Sequence, residues 1–163
     1  MKSEKNYLDT SVINFLFADD APEKKEITID FFDNFIKTGV YQAFISNIVL
    51  QEINQTPNPE KKAKLLGIID SYFTSQLELT HLPEIQGVAK QYLENAVLPK
   101  NKLFDALHVA CAVVHQFDYL VSWNYKHLAN VQREKKVTLI NFENGYVQPF
   151  RIITPIDLID YGI

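Results

Sequence analysis

Short strand-like runs alternate with longer segments of helical periodicity along this chain. In residues 27–36, apolar side chains recur at i, i+4 and i+8, which is the spacing of one helix face. Residues 41–46 form a shorter run without that period. Such alternation predicts an α/β fold, because each connecting helix covers the sheet built by the strands on either side of it. The length of 163 residues is that of one domain, expected to span residues 1–163.

The predicted sheet is central, mainly parallel, made of about five strands and flanked by helices. Its strands are expected at residues 7–8, 41–46, 77–79, 118–122 and 137–141. Helices are expected from Pro22, after Ser46, over residues 59–73, 83–98, 102–115 and 127–134, and from Pro155. Ser46 and Thr154 are suited to cap the helices that follow them, and Pro22 and Pro155 to occupy the first helical position.

The composition narrows the class of protein. The net charge of −4 argues against a protein that grips nucleic acid through a broad basic surface. The single cysteine, Cys111, excludes an internal disulfide, fits a reducing compartment and, in an apolar helical segment, is expected to be buried. The polar start of the chain lacks the apolar core of a signal peptide, and no apolar run approaches the ~18 residues of a membrane span. We therefore expect a cytoplasmic protein with no membrane partner.

Three acidic residues stand just past predicted strands or on the helices that follow them. Asp9 follows the first strand, Glu52 lies in the second turn after Ser46, and Asp105 lies in the first turn of a strongly apolar helix. In open α/β sheets, ligands bind beyond the carboxyl ends of the strands, so these acids are expected at one edge. The fourth strand brings Asn124 to the same edge. Such a cluster of oxygen ligands suits Mg²⁺ or Mn²⁺.

Each acid taken alone has a simpler interpretation. An Asp at a strand end or helix start often only caps the helix or interacts with its dipole. Glu52 is harder to explain in this way, because its neighbours Ile48, Val49, Leu50 and Ile53 are apolar, and an acid beside a buried helix face needs a partner or a metal. The metal-site hypothesis therefore depends on the joint placement of the acids.

Four short motifs, in this order, resemble those of the PIN domain family and, within it, the VapC-like toxins of bacterial type II toxin–antitoxin pairs. They are Tyr7-Leu8-Asp9-Thr10-Ser11, Leu50-Gln51-Glu52-Ile53, Phe104-Asp105-Ala106-Leu107-His108 and Leu120-Val121-Ser122-Trp123-Asn124. The resemblance implies a ribonuclease that uses Mg²⁺ or Mn²⁺, with Asp9, Glu52 and Asp105 at the positions of the metal-binding acids. It also implies an RNA substrate and a cognate antitoxin protein. The apolar helices over residues 27–36 and 61–73 are candidates for an antitoxin groove or a homodimer interface.

The chain departs from the family pattern at Asn124, where the family usually has Asp. An amide offers one neutral carbonyl oxygen instead of a charged carboxylate, so a second ion is expected to be held less firmly. We still count Asn124 with Asp9, Glu52 and Asp105 as a catalytic candidate. Supporting roles are expected for three hydroxyl side chains that would orient Asp9 or contact a phosphate: Thr10, Ser11 and Ser122.

Two other functions stay open at this point. The first is a catalytically weak PIN module that acts by binding RNA or a protein partner, which Asn124 favours. The second is a phosphoacceptor domain built on Asp9, which is less favoured because its paired acid and lysine have no clear place in the sequence.

Several residues near the motifs allow two interpretations each. Four basic residues would contact RNA phosphates or form a solvated face: Lys100, Lys102, Lys126 and Arg133. Trp123 would stack on a base or pack in the core. His108, three residues after Asp105, is expected mainly to pack between helices.

Overall fold

The computed structural model describes residues 4–73, 78–124 and 130–161. Four strands in these residues form one sheet in the order β2-β1-β3-β4. They are β1 (Lys5–Leu8), β2 (Gln42–Phe44), β3 (Tyr119–Val121) and β4 (Arg151–Ile153). Each of the three pairings is parallel, which confirms the α/β fold class expected from the alternating pattern.

Helices connect the strands and cover both faces of the sheet. They are α1 (Thr10–Asn14), α2 (Pro22–Phe31), α3 (Asn47–Ile53), α4 (Pro59–Tyr72), α5 (Leu82–Glu94), α6 (Leu103–Val114), α7 (Val131–Glu143) and α8 (Pro155–Tyr161). A 3₁₀ turn, Phe15–Phe17, follows α1, and a π-helical turn, Phe32–Ile36, extends α2. Ser46 caps α3 by accepting from the Ile48 amide at 3.2 Å, as expected. In the described part of the chain, no helix has both the length and the apolar character needed to span a membrane.

The strands divide the core into two apolar clusters, one on each face of the sheet. Tyr7, Leu120 and Ile152 lie in the cluster that contains α5 and α6. Their successors Leu8, Val121 and Ile153 lie in the cluster beneath α2, α3 and α4. The parallel register places each set side by side, and successive side chains of a strand point to opposite faces. Burial on both faces explains why these consecutive residues of each strand are apolar rather than alternating with polar ones.

Two of the strand predictions are wrong, and one strand was missed. Residues 137–141 lie inside α7, where Val137, Ile140 and Asn141 are buried at helical spacing. Glu78 and Leu79 are not in a strand, and residue 77 lies outside the described residues. The missed strand is β4, only three residues long, which pairs with β3 far from it in sequence.

The predicted short helix over residues 127–134 is only partly testable. Residues 127–129 lie outside the described ranges. The observed helix, α7, begins at Val131 after an Asn130 cap and continues to Glu143. Asn130 accepts from the amide of Arg133 at 2.9 Å, which fixes the start of the helix.

Candidate metal centre

The four candidate residues line one pocket of about 270 Å³ at the carboxyl end of the sheet. Asp9 comes from the end of β1, Glu52 from α3, Asp105 from the first turn of α6 and Asn124 from the segment after β3. The remaining lining residues are Thr10, Ser11, Asn14, Asn101, Lys102 and Phe104. The structure therefore brings together side chains from four separate motifs.

Asp9 is the most deeply placed of the acids, with 2% of its surface exposed. It caps α1 by accepting from the Ser11 amide at 3.0 Å, and it also accepts from the Ser11 hydroxyl. Burial raises the pKa of its carboxyl to about 6, against the lowering effects of His108, Ser11 and Ser122, and the charge of Asp105 adds to the rise. Ionised Asp9 is thus poorly compensated by protein groups alone, which suits a carboxylate that takes a cation as its partner.

Ser11 and Ser122 connect the ends of β1 and β3 behind Asp9. The Ser11 hydroxyl accepts from the Trp123 amide at 2.9 Å and lies 3.3 Å from the Ser122 hydroxyl. The Ser122 hydroxyl in turn accepts from the Asn124 amide at 3.0 Å. These contacts place Ser11 so that it orients Asp9, and they hold the segment that carries Asn124.

Asn124 and Asp105 form a direct pair across the pocket. The Asn124 side-chain amide donates to Asp105 Oδ2 at 3.1 Å. An aspartate at position 124 would instead place a second negative charge beside Asp105. Asn124, where the family usually has Asp, therefore stabilises the Asp105 carboxylate with a hydrogen bond.

Glu52 reaches the pocket from α3 with its side chain 33% exposed, and it lies 3.1 Å from Nε2 of buried His108. Burial alone would raise the pKa of the Glu52 carboxyl. The hydrogen bond and the electrostatic interaction with His108 outweigh that effect, with further contributions from Thr10 and Lys102, so the pKa lies below its ordinary value. Glu52 is therefore ionised at neutral pH.

The structure places the basic residues, Trp123 and His108 in different roles. Lys102 lines the pocket, whereas Arg133 donates to the carbonyl of Val97, and residue 126 lies outside the described ranges. Trp123 is 3% exposed, and its indole N–H donates to Thr28 at 2.9 Å, so it packs in the core and is not available to stack on a base. His108 was expected mainly to pack between helices, but it contacts a site residue.

The donor set fits a hard cation in its chemistry. The pocket presents carboxylate, amide and hydroxyl oxygens, which are the ligands that Mg²⁺ and Mn²⁺ prefer. In the described ranges, however, no three side chains of His, Cys, Asp or Glu already converge at distances that hold an ion. Asp9, Glu52 and Asp105 are each engaged by a protein partner, namely Ser11, His108 and Asn124. Binding would therefore require the carboxylates to move closer together, and each can still accept from its partner while it offers lone pairs to an ion.

A larger pocket, of about 770 Å³, lies beside β4 and α8, away from the acids of the motifs. Its charged lining is mixed and partly paired, since Glu134 lies 3.4 Å from the guanidinium of Arg151 and accepts from the Ile152 amide at 2.8 Å. The pocket also adjoins Asn130, next to residues that the structure does not describe. The smaller pocket is therefore the better candidate for chemistry.

Comparison with known proteins agrees with the fold and the motifs. A solved structure, described as VapBC2 from Rickettsia felis bound to a DNA fragment from their promoter, aligns with a TM-score of 0.54 at 14% identity, over 92% of this chain and 98% of the other. At that identity, the likeness shows the fold alone. No curated protein matches the sequence. The family model for the PIN domain matches residues 7–133, which include each of the four motifs, and the chain therefore belongs to the PIN domain family.

Proposed function

We propose that this protein is a Mg²⁺- or Mn²⁺-dependent endoribonuclease and the toxin of a type II toxin–antitoxin pair. The observation that carries the proposal is the pocket in which Asp9, Glu52 and Asp105 meet although they come from separate segments. Membership of the PIN domain family supports a nuclease. The structural likeness to a chain from a VapBC complex supports the toxin assignment at the level of the fold.

Asp9, Glu52 and Asp105 would hold the ion. When bound, such an ion lowers the pKa of a coordinated water and neutralises charge on phosphoryl oxygens. Lys102 supplies a positive charge at the pocket, suited to bind an RNA phosphate. Thr10 also lines the pocket, while Ser11 keeps Asp9 in position.

Asn124 sets how much charge the centre carries. Three carboxylates give the pocket a formal charge of −3 from its acids, where a fourth would give −4. We propose that one ion binds firmly and that a second is held weakly, with the substrate phosphate as one of its ligands. Asn124 still supports the reaction by keeping Asp105 in place.

The partners follow from the same assignment. We propose a cytoplasmic protein that is neutralised by a cognate antitoxin. Helices α2 and α4, together with the π-helical turn after α2, are the proposed antitoxin or homodimer surface, because several of their apolar residues are only partly buried. Ile29 on α2, for example, is 38% exposed.

A cleavage assay tests the enzyme assignment. Mixed RNAs are incubated with wild-type protein in Mg²⁺, in Mn²⁺ or in EDTA, with Asp9→Asn as the control. Wild type is expected to cut RNA only with the ion, and Asp9→Asn is expected to be nearly inactive. Equal cleavage by the two proteins would contradict the assignment as a metal-dependent ribonuclease.

A second candidate is a PIN module that binds RNA or a protein without efficient cleavage. Two observations favour it: Asn124 replaces a carboxylate, and the acids are engaged by protein partners. It predicts that wild type and Asp9→Asn bind RNA equally and that neither shows cleavage stimulated by an ion.

A further inference from the structure

A series of hydrogen bonds leads from the start of α3, through the core, to the pocket. The Ile48 amide donates to the Ser46 hydroxyl at 3.2 Å, and that hydroxyl lies 2.7 Å from the Tyr7 hydroxyl. The Tyr7 hydroxyl lies 2.7 Å from Nδ1 of His108, and Nε2 of His108 lies 3.1 Å from Glu52 Oε1. Tyr7, Ser46 and His108 are buried, so the series is shielded from water until it reaches Glu52.

The partners limit where the protons lie. A tyrosine phenol is protonated at neutral pH and therefore has a proton to donate to Nδ1 of His108, 2.7 Å away. The Tyr7 phenol has one proton, and if it is donated to His108, the Ser46 hydroxyl must be the donor in its contact with Tyr7 while it accepts from the Ile48 amide. An ionised carboxylate only accepts, so the contact between Nε2 and Glu52 is a hydrogen bond only if Nε2 carries a proton. One direction of donation therefore satisfies every member of the series.

We propose that His108 is a positioning residue for Glu52, oriented by Tyr7 and donating its Nε2 proton to Glu52 Oε1. This inference rests on the proposed function in one respect, namely that Glu52 is a ligand of the ion. A half-exposed glutamate on a helix has several rotamers, and fixing one of them costs entropy. A buried imidazole that is itself held at its other nitrogen supplies a rigid donor for that purpose.

A purely structural role fits the geometry less well. Tyr7, which is itself hydrogen-bonded to Ser46, already gives His108 a hydrogen-bond partner inside the core. The second ring nitrogen, however, faces two residues of the pocket lining: Glu52 at 3.1 Å and the Thr10 hydroxyl at 3.3 Å. His108 thus connects the core to the pocket. A histidine that only packs in the core would not need a ring nitrogen at the pocket.

Nuclear magnetic resonance of the ion-free protein tests the proton position directly. Long-range ¹H–¹⁵N spectra of ¹⁵N-labelled protein distinguish a protonated Nε2 from an unprotonated one. The His108 signals are identified by their loss in His108→Gln. At neutral pH, Nε2 is expected to carry the proton, and a ring protonated on Nδ1 alone would overturn the proposal.

Ion binding by two matched variants tests the positioning role. His108→Gln keeps an amide N–H near the place of Nε2, whereas His108→Leu has similar bulk and no donor. By isothermal titration with Mn²⁺, His108→Leu is expected to bind about 10–100-fold more weakly than wild type, and His108→Gln to stay close to it. Thermal unfolding of both variants is measured alongside, because loss of packing alone would not separate their affinities.

The outcomes separate this inference from the proposed function. Equal Mn²⁺ affinity of wild type, His108→Gln and His108→Leu would overturn the positioning role while leaving the metal centre intact. Absence of Mn²⁺ binding by wild type would instead contradict the proposed function. In that case, the spectrum of the ion-free protein still decides whether His108 donates to Glu52.

Discussion

Among the acids that the structure describes, Asp9 has a pKa clearly raised by burial. Its pKa is raised from 3.8 to about 6, so folding favours the protonated form. The stability gained from the protonated Asp9 carboxyl is fully present below pH 3.8 and is lost as the pH rises through about 6. At pH 8, the ionised carboxylate is expected to cost the ion-free protein up to about 3 kcal/mol.

Asp9→Asn is therefore expected to raise the unfolding temperature of the ion-free protein, and more so at pH 8 than at pH 5. The amide keeps an oxygen that caps α1, so the change removes mainly the charge. Thermal unfolding at the two pH values measures the effect. Asp70→Asn, at an exposed position on α4, is the matched control. An equal change in unfolding temperature at the two pH values would contradict the raised pKa of Asp9.

Asn124 allows a second test at the scale of a residue. Asn124→Asp removes the hydrogen bond to Asp105 and places two carboxylates together, so the ion-free protein is expected to lose about 1 kcal/mol, since partial exposure screens the pair. Added Mn²⁺ is expected to reverse the loss and to occupy more sites per chain than in wild type. Calorimetric titration and thermal unfolding measure both. Unchanged stability and stoichiometry would show that position 124 does not face the ion.

At the scale of elements, Ser11 connects β1 to β3 through its hydroxyl. Ser11→Ala removes the contacts to Asp9 and to the Trp123 amide, so the protein is expected to lose about 1–3 kcal/mol and most of its cleavage activity. Chemical unfolding and the cleavage assay measure the two effects. Ser71→Ala, at an exposed position on α4, is the control. Full activity in Ser11→Ala would show that Asp9 needs no such support.

The elements that sequence predicts well are those with local start signals. The cap at Ser46 and the prolines at positions 22 and 59 act within one helical turn, and α2, α3 and α4 begin where they indicate. Residues 137–141 favour a strand by local pattern because three of them, Val137, Thr138 and Ile140, are β-branched, whereas the Asn130 cap and the burial of one face make the segment helical. The short β4 is defined by its pairing with β3, which no local pattern reports.

In the candidate site, too, local signals locate some residues, whereas others depend on contacts that are distant in sequence. Strand ends and helix starts locate Asp9, Glu52, Asp105 and Asn124, because parallel strands share one carboxyl edge. The role of His108 depends on the Tyr7 hydroxyl, 101 positions away in sequence, and on the packing of α6 against β1. A spacing of three residues from Asp105 gives only a shared helix face.

At the scale of the whole molecule, a net charge of −4 makes RNA binding depend on local positive charge. Lys102 at the pocket is the cation expected to meet a phosphate. In an Asp9→Asn background, Lys102→Ala is expected to weaken RNA binding and to lower the salt dependence by about 0.7 in the log–log slope, the value for one phosphate contact on a single strand. Fluorescence anisotropy with labelled RNA measures it. Lys90→Ala, on the exposed face of α5, should leave the slope unchanged.

The pocket acids are proposed to form the metal centre of a ribonuclease. The most direct measurement is the rate of RNA cleavage against Mn²⁺ concentration for wild type and for Asp9→Asn, Glu52→Gln and Asp105→Asn, with Asp70→Asn and Glu26→Gln as exposed controls. Each pocket variant is expected to be slower by about 100-fold or more, while the controls match wild type. Cleavage by the pocket variants at the wild-type rate, or cleavage that persists in EDTA, would contradict the claim.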